Sequence, residues 1–181
     1  MAYCHKYNQY KVFIMSLDLY IKTSTPVIKR GTGVYVREDG KTKELKTMAE
    51  VKERFPEADL SHIKVFEFET DEVWHENITH NMNKMADQVP IGEHTLYDYL
   101  WRPDEIEITH ITREYATAVF NGLMYMKEHK EELLPFEPPI DPETGIRWGS
   151  YDLLVGFCTS LVDAIMSIDY TKEKYELYAS R

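Results

Sequence analysis

Alternating apolar and polar residues in the first part of the chain predict β-strands. Residues 17–21 alternate and predict a first strand, and a basic loop that contains Pro26 is expected to follow it. Residues 33–45 contain the pair Asp39-Gly40, which tolerates the positive φ angles of a tight turn, so this segment predicts a β-hairpin.

Two further alternating segments complete the predicted sheet. Residues 63–70 alternate again, and Glu67 and Glu69 lie on the face opposite the apolar side chains. Residues 175–179 alternate near the C-terminus and are expected to add a last strand beside the first sheet. The predicted sheet therefore draws mostly on N-terminal strands.

Apolar residues that recur at intervals of three and four predict helices in the rest of the chain. Residues 150–168 form the most apolar of these segments and are the expected core helix. A loop is predicted for residues 135–145, which hold four prolines. One helix opens with a capping box in which Glu50 follows three residues after the capping Thr. The predicted helix starts are Thr47, Asn77, Thr95, Thr112 and Ser150.

Strands followed by helices with short connections define an α+β fold. We expect a small antiparallel sheet packed against four to five helices. The chain has 181 residues, a length that fits one domain. Because the first strand begins immediately after Met15, residues 1–15 are interpreted as a loosely held N-terminal arm, and residues 16–181 as the single domain.

The net charge of −10 is unevenly distributed along the chain. Residues 1–65 carry twelve Lys/Arg and eight Asp/Glu, whereas residues 66–181 carry nine Lys/Arg and twenty-three Asp/Glu. An acidic surface repels nucleic acid and anionic membranes and attracts basic partners. Such charge ordinarily serves solubility; the alternative is that it serves a partner with a basic groove.

The sequence carries no signal for a membrane or for secretion. No apolar run approaches the ~18 residues of a membrane span, and the N-terminus lacks the apolar stretch of a signal peptide. A cytoplasmic location is therefore predicted. The two cysteines, Cys4 and Cys158, have no metal-ligand spacing and are expected to stay reduced in that compartment. No cofactor is indicated.

Residues 71–86 concentrate polar side chains of kinds that can carry chemistry. Asp71, His75, His80 and Asn81 lie in this segment, around the predicted helix start. They are open to interpretation as a metal site, an anion site, a partner contact, or a hydrogen-bonding cluster that fixes the turn. The alternative function is a small metal-dependent hydrolase or ligand-binding enzyme centred on these four residues, with Asp71, His75 and His80 as the metal ligands.

Two acidic runs form the other candidate site. Carboxylates spaced along a ridge can occupy a groove that normally holds phosphates, since both groups offer negatively charged oxygens to Lys and Arg. If the predicted strand of residues 63–70 and the predicted helix starts lie close together in the fold, the two runs form one ridge. The runs comprise Glu67, Glu69, Asp71, Glu72, Glu76, Asp104, Glu105 and Glu107.

Two Trp-Arg pairs lie at predicted helix boundaries. They are Trp101-Arg102 and Arg147-Trp148. Such pairs can stack and lock a corner of the fold. They can equally form an exposed hot spot for a protein partner, and in that interpretation Trp101, Arg102 and Trp148 are anchors.

Several short motifs resemble a family of small proteins encoded by phages and mobile elements of gut bacteria. These motifs are NITHN at residues 77–81, LWRP at 100–103, WGSY at 148–151 and the C-terminal Ser-Arg. The resemblance covers residues 16–181 and implies no catalytic residue. In length and acidity the chain also resembles type II-A anti-CRISPR proteins, which bind an RNA-guided DNA nuclease and block it.

The resemblance implies a non-enzymatic inhibitor that binds a type II CRISPR nuclease or its guide-RNA complex in the bacterial cytoplasm. Its acidic surface would compete with nucleic acid, without direct binding to nucleic acid or membrane and without a cofactor. A phage-assembly protein that acts by self-association is a third interpretation, and the oligomeric state stays open.

Overall fold

A computed structural model describes residues 16–38, 41–171 and 173–180 of the chain. The strands are β1 (Ser16–Gly31), β2 (Tyr35–Glu38), β3 (Lys41–Glu44), β4 (Phe66–Thr79), β5 (Pro90–Ile91), β6 (His94–Thr95) and β7 (Tyr175–Ser180). The helices are α1 (Met48–Arg54), α2 (Asn83–Ala86), α3 (Leu96–Trp101), α4 (Arg113–Glu128), α5 (Lys130–Leu133) and α6 (Tyr151–Met166). The predicted arm of residues 1–15, with Cys4, lies outside the described residues.

The main sheet has three antiparallel strands in the order β4–β1–β7. Leu17, Leu19 and Ile21 of β1 alternate with polar residues, and all three are fully buried. One face of the sheet therefore meets the helices and the other is open to solvent. The predicted first strand, the predicted C-terminal strand beside it and the α+β class are confirmed.

The central strand β1 is longer than predicted, because the expected basic loop is an irregular stretch within it. The register between β1 and β4 shifts around residues 22–27, where Pro26 lacks the N–H that a regular ladder needs. Three hydroxyl groups hold this irregular stretch by donating to the Glu173 carboxylate. The donors are Thr23, Ser24 and Thr25, at 3.3, 2.8 and 2.6 Å.

Strands β1 and β4 continue beyond β7 as a two-stranded ribbon, here called the distal ribbon. Residues 27–31 of β1 pair with residues 66–70 of β4, whereas β7 pairs only with residues 18–23. The distal ribbon leads to the distal module, residues 32–65, which contains the β2–β3 hairpin and α1. A second, smaller core holds this module together. Its buried members are Val36, Leu45 and Val51.

Local capping signals are confirmed at four predicted helix starts. Thr47 and Glu50 form both hydrogen bonds of the capping box that opens α1. The hydroxyls of Thr95, Thr112 and Ser150 accept from backbone N–H groups in the first turns of α3, α4 and α6. The turn at Asp39-Gly40 lies outside the described residues, although the hairpin that flanks it is formed.

Helices α4 and α6 supply most of the main core. Tyr115, Val119 and Leu123 of α4 lie along one buried face, as the spacing predicted. On α6, Phe157 meets Trp74 of β4 edge to face, with ring centroids 5.7 Å apart. None of the helices in the described ranges is long and apolar enough to cross a membrane.

The largest correction to the predicted elements concerns Asn77. This residue does not cap a helix; it lies in β4, opposite Asp18 of β1, and its side-chain amide donates to the Asp18 carboxylate at 2.9 Å. A 3₁₀ turn at His80–Met82 and the four-residue α2 follow. The β-branched Ile78 and Thr79 favour the strand, which a local capping signal cannot override once β1 is alongside.

Candidate partner-binding surface

The open face of the main sheet presents a cluster of aromatic and polar side chains. Tyr20 of β1 and His75 of β4 are opposite in register and stack, with ring centroids 4.3 Å apart and planes within 5°. Tyr178 of β7 meets Tyr20 edge to face at 6.4 Å. The Lys22 ammonium lies 5.7 and 5.3 Å from the two tyrosine rings. These tyrosines were missed, although alternation with the buried Leu19 and Ile21 places Tyr20 outward.

His75 connects this cluster to the acidic residues around it. Its Nε2 lies 3.2 Å from Asp18 Oδ1, and its Nδ1 lies 4.0 Å from Glu72 Oε1. The Asn77 amide donates to the same Asp18 oxygen. Of the interpretations open for residues 71–86, the geometry fits a hydrogen-bonding cluster that joins β1 to β4.

The metal interpretation required Asp71 and His75 to face one ion. Asp71 lies instead 3.8 Å from the Lys22 ammonium, and His75 turns towards Asp18. Four residues of extended strand also separate their Cα atoms by about 13 Å. The two side chains therefore contact different residues and do not face a common ion.

The remaining residues of the metal interpretation do not add a site. The side chain of His80 lies outside the described ones, and Asn81 is exposed, its backbone N–H donating to the Thr79 hydroxyl at 3.3 Å. Within the described residues, no three His, Cys, Asp or Glu side chains are grouped so that they could hold a metal ion. Cys158 is fully buried in α6.

Cations of β1 face the acidic run of β4. Strand pairing brings Lys and Arg side chains from the basic part of the sequence beside the carboxylates. The pairs are Lys22–Asp71 at 3.8 Å, Lys29–Glu72 at 3.6 Å and Arg30–Glu67 at 2.6 Å. Since these pairs are partly or largely exposed, each contributes less than about 1 kcal/mol to stability. Their main effect is to offset much of the negative charge of the run.

The second acidic run, residues 104–107, borders the opposite side of the sheet. It forms the turn after α3 and leads into residues 109–111, whose backbone joins β7 through hydrogen bonds of 2.7 and 2.9 Å. Because β1 and β7 lie between β4 and this segment, the two runs are separated by at least about 14 Å. The single ridge expected from the sequence is therefore not formed.

Arg102 locks the corner that follows α3. Its Nη2 donates to Asp98 at 2.6 Å and its Nη1 lies 3.3 Å from Glu105. The guanidinium also stacks over the Tyr97 ring at 4.8 Å. The locked-corner interpretation therefore fits Arg102, but the stacking partner of the guanidinium is Tyr97 rather than the neighbouring Trp101.

Trp101 is a core residue. Its side chain is 1% exposed and stacks on Tyr97 with ring centroids 5.6 Å apart. Leu96 and Leu100 of the same short helix are fully buried. A side chain in this position is out of reach of a partner, so its interpretation as a binding anchor is corrected.

In the second Trp-Arg pair, Arg147 and Trp148 have different surroundings. The Arg147 guanidinium forms an ion pair with Glu137, and the other oxygen of Glu137 accepts from the Tyr151 backbone N–H at 2.8 Å. This carboxylate therefore ties the proline-rich loop to the first turn of α6. Trp148 is half-buried.

Asp98 yields a prediction about pH and stability. Burial raises its pKa, but hydrogen bonds from the Thr95 backbone and from Arg102 outweigh burial and hold the pKa below the ordinary 3.8. We expect Asp98→Asn to lower the free energy of unfolding by about 1–2 kcal/mol at pH 7. This difference should be complete above pH ~4 and should shrink as the pH falls through the lowered pKa.

Urea unfolding of both proteins at pH 7 and at steps between pH 4 and 2 measures this difference. Asp163→Asn on the exposed side of α6 is the control, expected within about 0.5 kcal/mol of the parent protein. If the free energies of unfolding of Asp98→Asn and the parent differed by the same amount at every pH, the stabilisation could not be assigned to the ionised carboxylate.

No protein-family model, no curated protein and no solved structure matches this chain. The family resemblance of the sequence motifs therefore stays a prediction. Two of these motifs do have a defined place in the fold: LWRP forms the corner locked by Arg102, and the Ser of WGSY caps α6.

Proposed function

We propose that this protein is a non-enzymatic inhibitor that binds a type II CRISPR nuclease, or its guide-RNA complex, in the cytoplasm of a bacterial host. The resemblance of its motifs to a family encoded by phages and mobile elements, and of its length and acidity to type II-A anti-CRISPR proteins, suggests the class of partner. The distribution of charge over the fold suggests which surface makes the contact.

The proposal is supported mainly by the net charge of the helical part of the domain. Residues 83–166, from the start of α2 to the end of α6, hold six Lys/Arg and fifteen Asp/Glu, a net charge of −9. This segment is here called the acidic helical side. The paired strands β1 and β4, by contrast, hold three Lys/Arg and six Asp/Glu. Most of the uncompensated negative charge of these parts therefore lies within residues 83–166, on the helices and, to a larger extent, on the loops that connect them.

A nucleic-acid channel in a nuclease is lined with Lys and Arg and has a high positive potential. The acidic helical side is drawn to such a channel and competes there with the phosphate backbone. Opposite charges accelerate association, and the rate falls as salt screens them. The acidic residues of β4 add to the long-range attraction without forming the contact.

The proposal is tested by target-DNA cleavage with a purified type II nuclease and its guide RNA. We expect inhibition that weakens between 50 and 500 mM salt, since the Debye length falls to a few ångströms over about this range. The variant Glu128→Lys/Glu131→Lys should raise the half-inhibitory concentration by about ten-fold or more, because it reverses charge at exposed positions of α4 and α5.

Glu53→Lys/Glu57→Lys in the distal module is the matched control. Both residues are exposed, and the total charge changes by the same amount as in the test variant. We expect less than about a two-fold change for this control. Equal losses in both variants would assign the effect to net charge alone. Unchanged cleavage at large molar excess of inhibitor, or no complex with the nuclease at low salt, would refute the proposal.

A further inference from the structure

The strand β4 is an edge of the main sheet, with β1 as its partner on one side. For residues 66–72, the described part of the chain supplies no strand and no backbone hydrogen bond on the other side. In an edge strand, about half of the backbone N–H and C=O groups point away from the sheet and can pair with another strand. This segment is long enough for such pairing.

The two faces of this segment differ in chemistry. Phe66 and Phe68 lie on one face, 47% and 39% exposed, with ring centroids 5.6 Å apart. Glu67 and Glu69 lie on the other face; Glu67 pairs with Arg30 of β1 through one carboxylate oxygen, whereas Glu69 is opposite the exposed Ile28 rather than a cation. Over residues 66–69, a strand added to this edge meets apolar and acidic positions in alternation.

Pairing of this edge with a second copy of the chain is disfavoured by charge. In an antiparallel register centred on Phe68, Glu67 of one copy lies opposite Glu69 of the other. Like charges directly opposite each other destabilise a strand pair. Acidic side chains on an edge strand are a common protection against self-association. The same charges favour a strand that brings Lys or Arg.

We propose that residues 66–72 of β4 form a docking edge for an extended segment of a partner protein in which Lys or Arg alternates with apolar residues. The segment adds to the sheet as a fourth strand. Its apolar side chains cover Phe66 and Phe68, and its cations meet Glu67 and Glu69. The backbone supplies affinity and the alternating side chains supply specificity. This inference goes beyond the proposed function, whose contact surface is the acidic helical side.

The test uses the full chain and a blocked heptapeptide of alternating valine and lysine, with valine at both ends. We expect binding, and slower hydrogen–deuterium exchange of backbone amides confined to residues 66–72. Two control peptides, one with glutamate in place of lysine and one with the three lysines grouped at one end, should bind at least about ten-fold more weakly.

Charge reversal supplies the matched variants. Glu67→Lys/Glu69→Lys should lose affinity for the valine–lysine peptide by about ten-fold or more and gain affinity for the valine–glutamate peptide. Glu128→Lys/Glu131→Lys, with the same change in net charge, should bind the valine–lysine peptide within about two-fold of the parent. Melting temperatures verify that each variant is folded.

Several results would overturn the proposal. If the peptide slowed amide exchange elsewhere in the chain, or if the grouped-lysine peptide bound equally well, the binding would be non-specific electrostatic attraction. Amides of residues 66–72 that are already protected without peptide would show that the edge has an occupant. If that protection grows with protein concentration, together with a dimer in light scattering, the occupant is a second copy.

Discussion

The variant Gly149→Ala is expected to lose about 3 kcal/mol of unfolding free energy, which lowers the melting temperature by about 6–12 °C. Gly149 has φ of +111°, a backbone conformation that side chains with a Cβ rarely adopt. An added Cβ would also overlap Met82 Sδ and lie 3.1 Å from Thr79 Cγ2. Since Met82 is fully buried, its side chain has no open space to enter.

Two other glycines separate the causes of this loss. Gly145 also has a positive φ, of +69°, but a Cβ there meets nothing within 4 Å. Gly145→Ala should therefore cost only the backbone strain, about 1 kcal/mol. Gly156 lies within α6 with open space around its Cα, and its replacement by Ala should stabilise by up to about 1 kcal/mol. Thermal and urea unfolding of the three variants measure these differences; equal losses at 149 and 145 would show that the contact with Met82 is relieved without cost.

The variant Trp101→Ala should lose about 3–5 kcal/mol, because it leaves a cavity in the main core. Trp101 is 1% exposed and stacks on Tyr97, whose ring also supports the guanidinium of Arg102. We therefore expect the corner after α3 to loosen together with the core. Urea unfolding monitored by far-UV circular dichroism gives the free energy without relying on tryptophan fluorescence.

Met166→Ala at the end of α6 is the control for this substitution. Its side chain is 73% exposed, so truncation should change stability by no more than about 0.5 kcal/mol. If Trp101→Ala were as stable as the parent and yet failed to inhibit the nuclease, Trp101 would be a binding anchor after all. The predicted result is the reverse, a loss of stability with inhibition reduced only as far as the folded fraction falls.

Local signals in the sequence were sufficient for much of the fold. A threonine or serine followed by an amphipathic stretch marked helix starts at Thr47, Thr95, Thr112 and Ser150, since a cap is formed by residues three positions apart. Alternation likewise marked the core of β1, because burial of one face imposes the period of two.

Signals that depend on distant partners were misleading. Asn77 has the chemistry of a cap, but the group that binds its amide is Asp18, 59 residues away. The same limit applies to the acidic run of β4, whose charge could not be assessed before β1 was known to bring Lys22, Lys29 and Arg30 beside it. Strand order, a non-local property, decides both cases.

The candidate site was predictable only in part. Residues 71–86 were identified as a polar segment, and two of them, His75 and Asn77, hydrogen-bond to Asp18. The aromatic side of the cluster on the open face, Tyr20 and Tyr178, was missed because the residues come from the two ends of the chain. Their proximity follows from β7 pairing with β1, which no short motif encodes.

The distal ribbon connects two parts of the molecule, each with its own apolar core. Residues 32–65 have their own small core and, within the described ranges, are joined to the rest of the domain through β1 and β4, with the irregular stretch of β1 at the base of that connection. With so few buried apolar side chains, the module unfolds at lower cost than the main core, which makes it an early point of local melting.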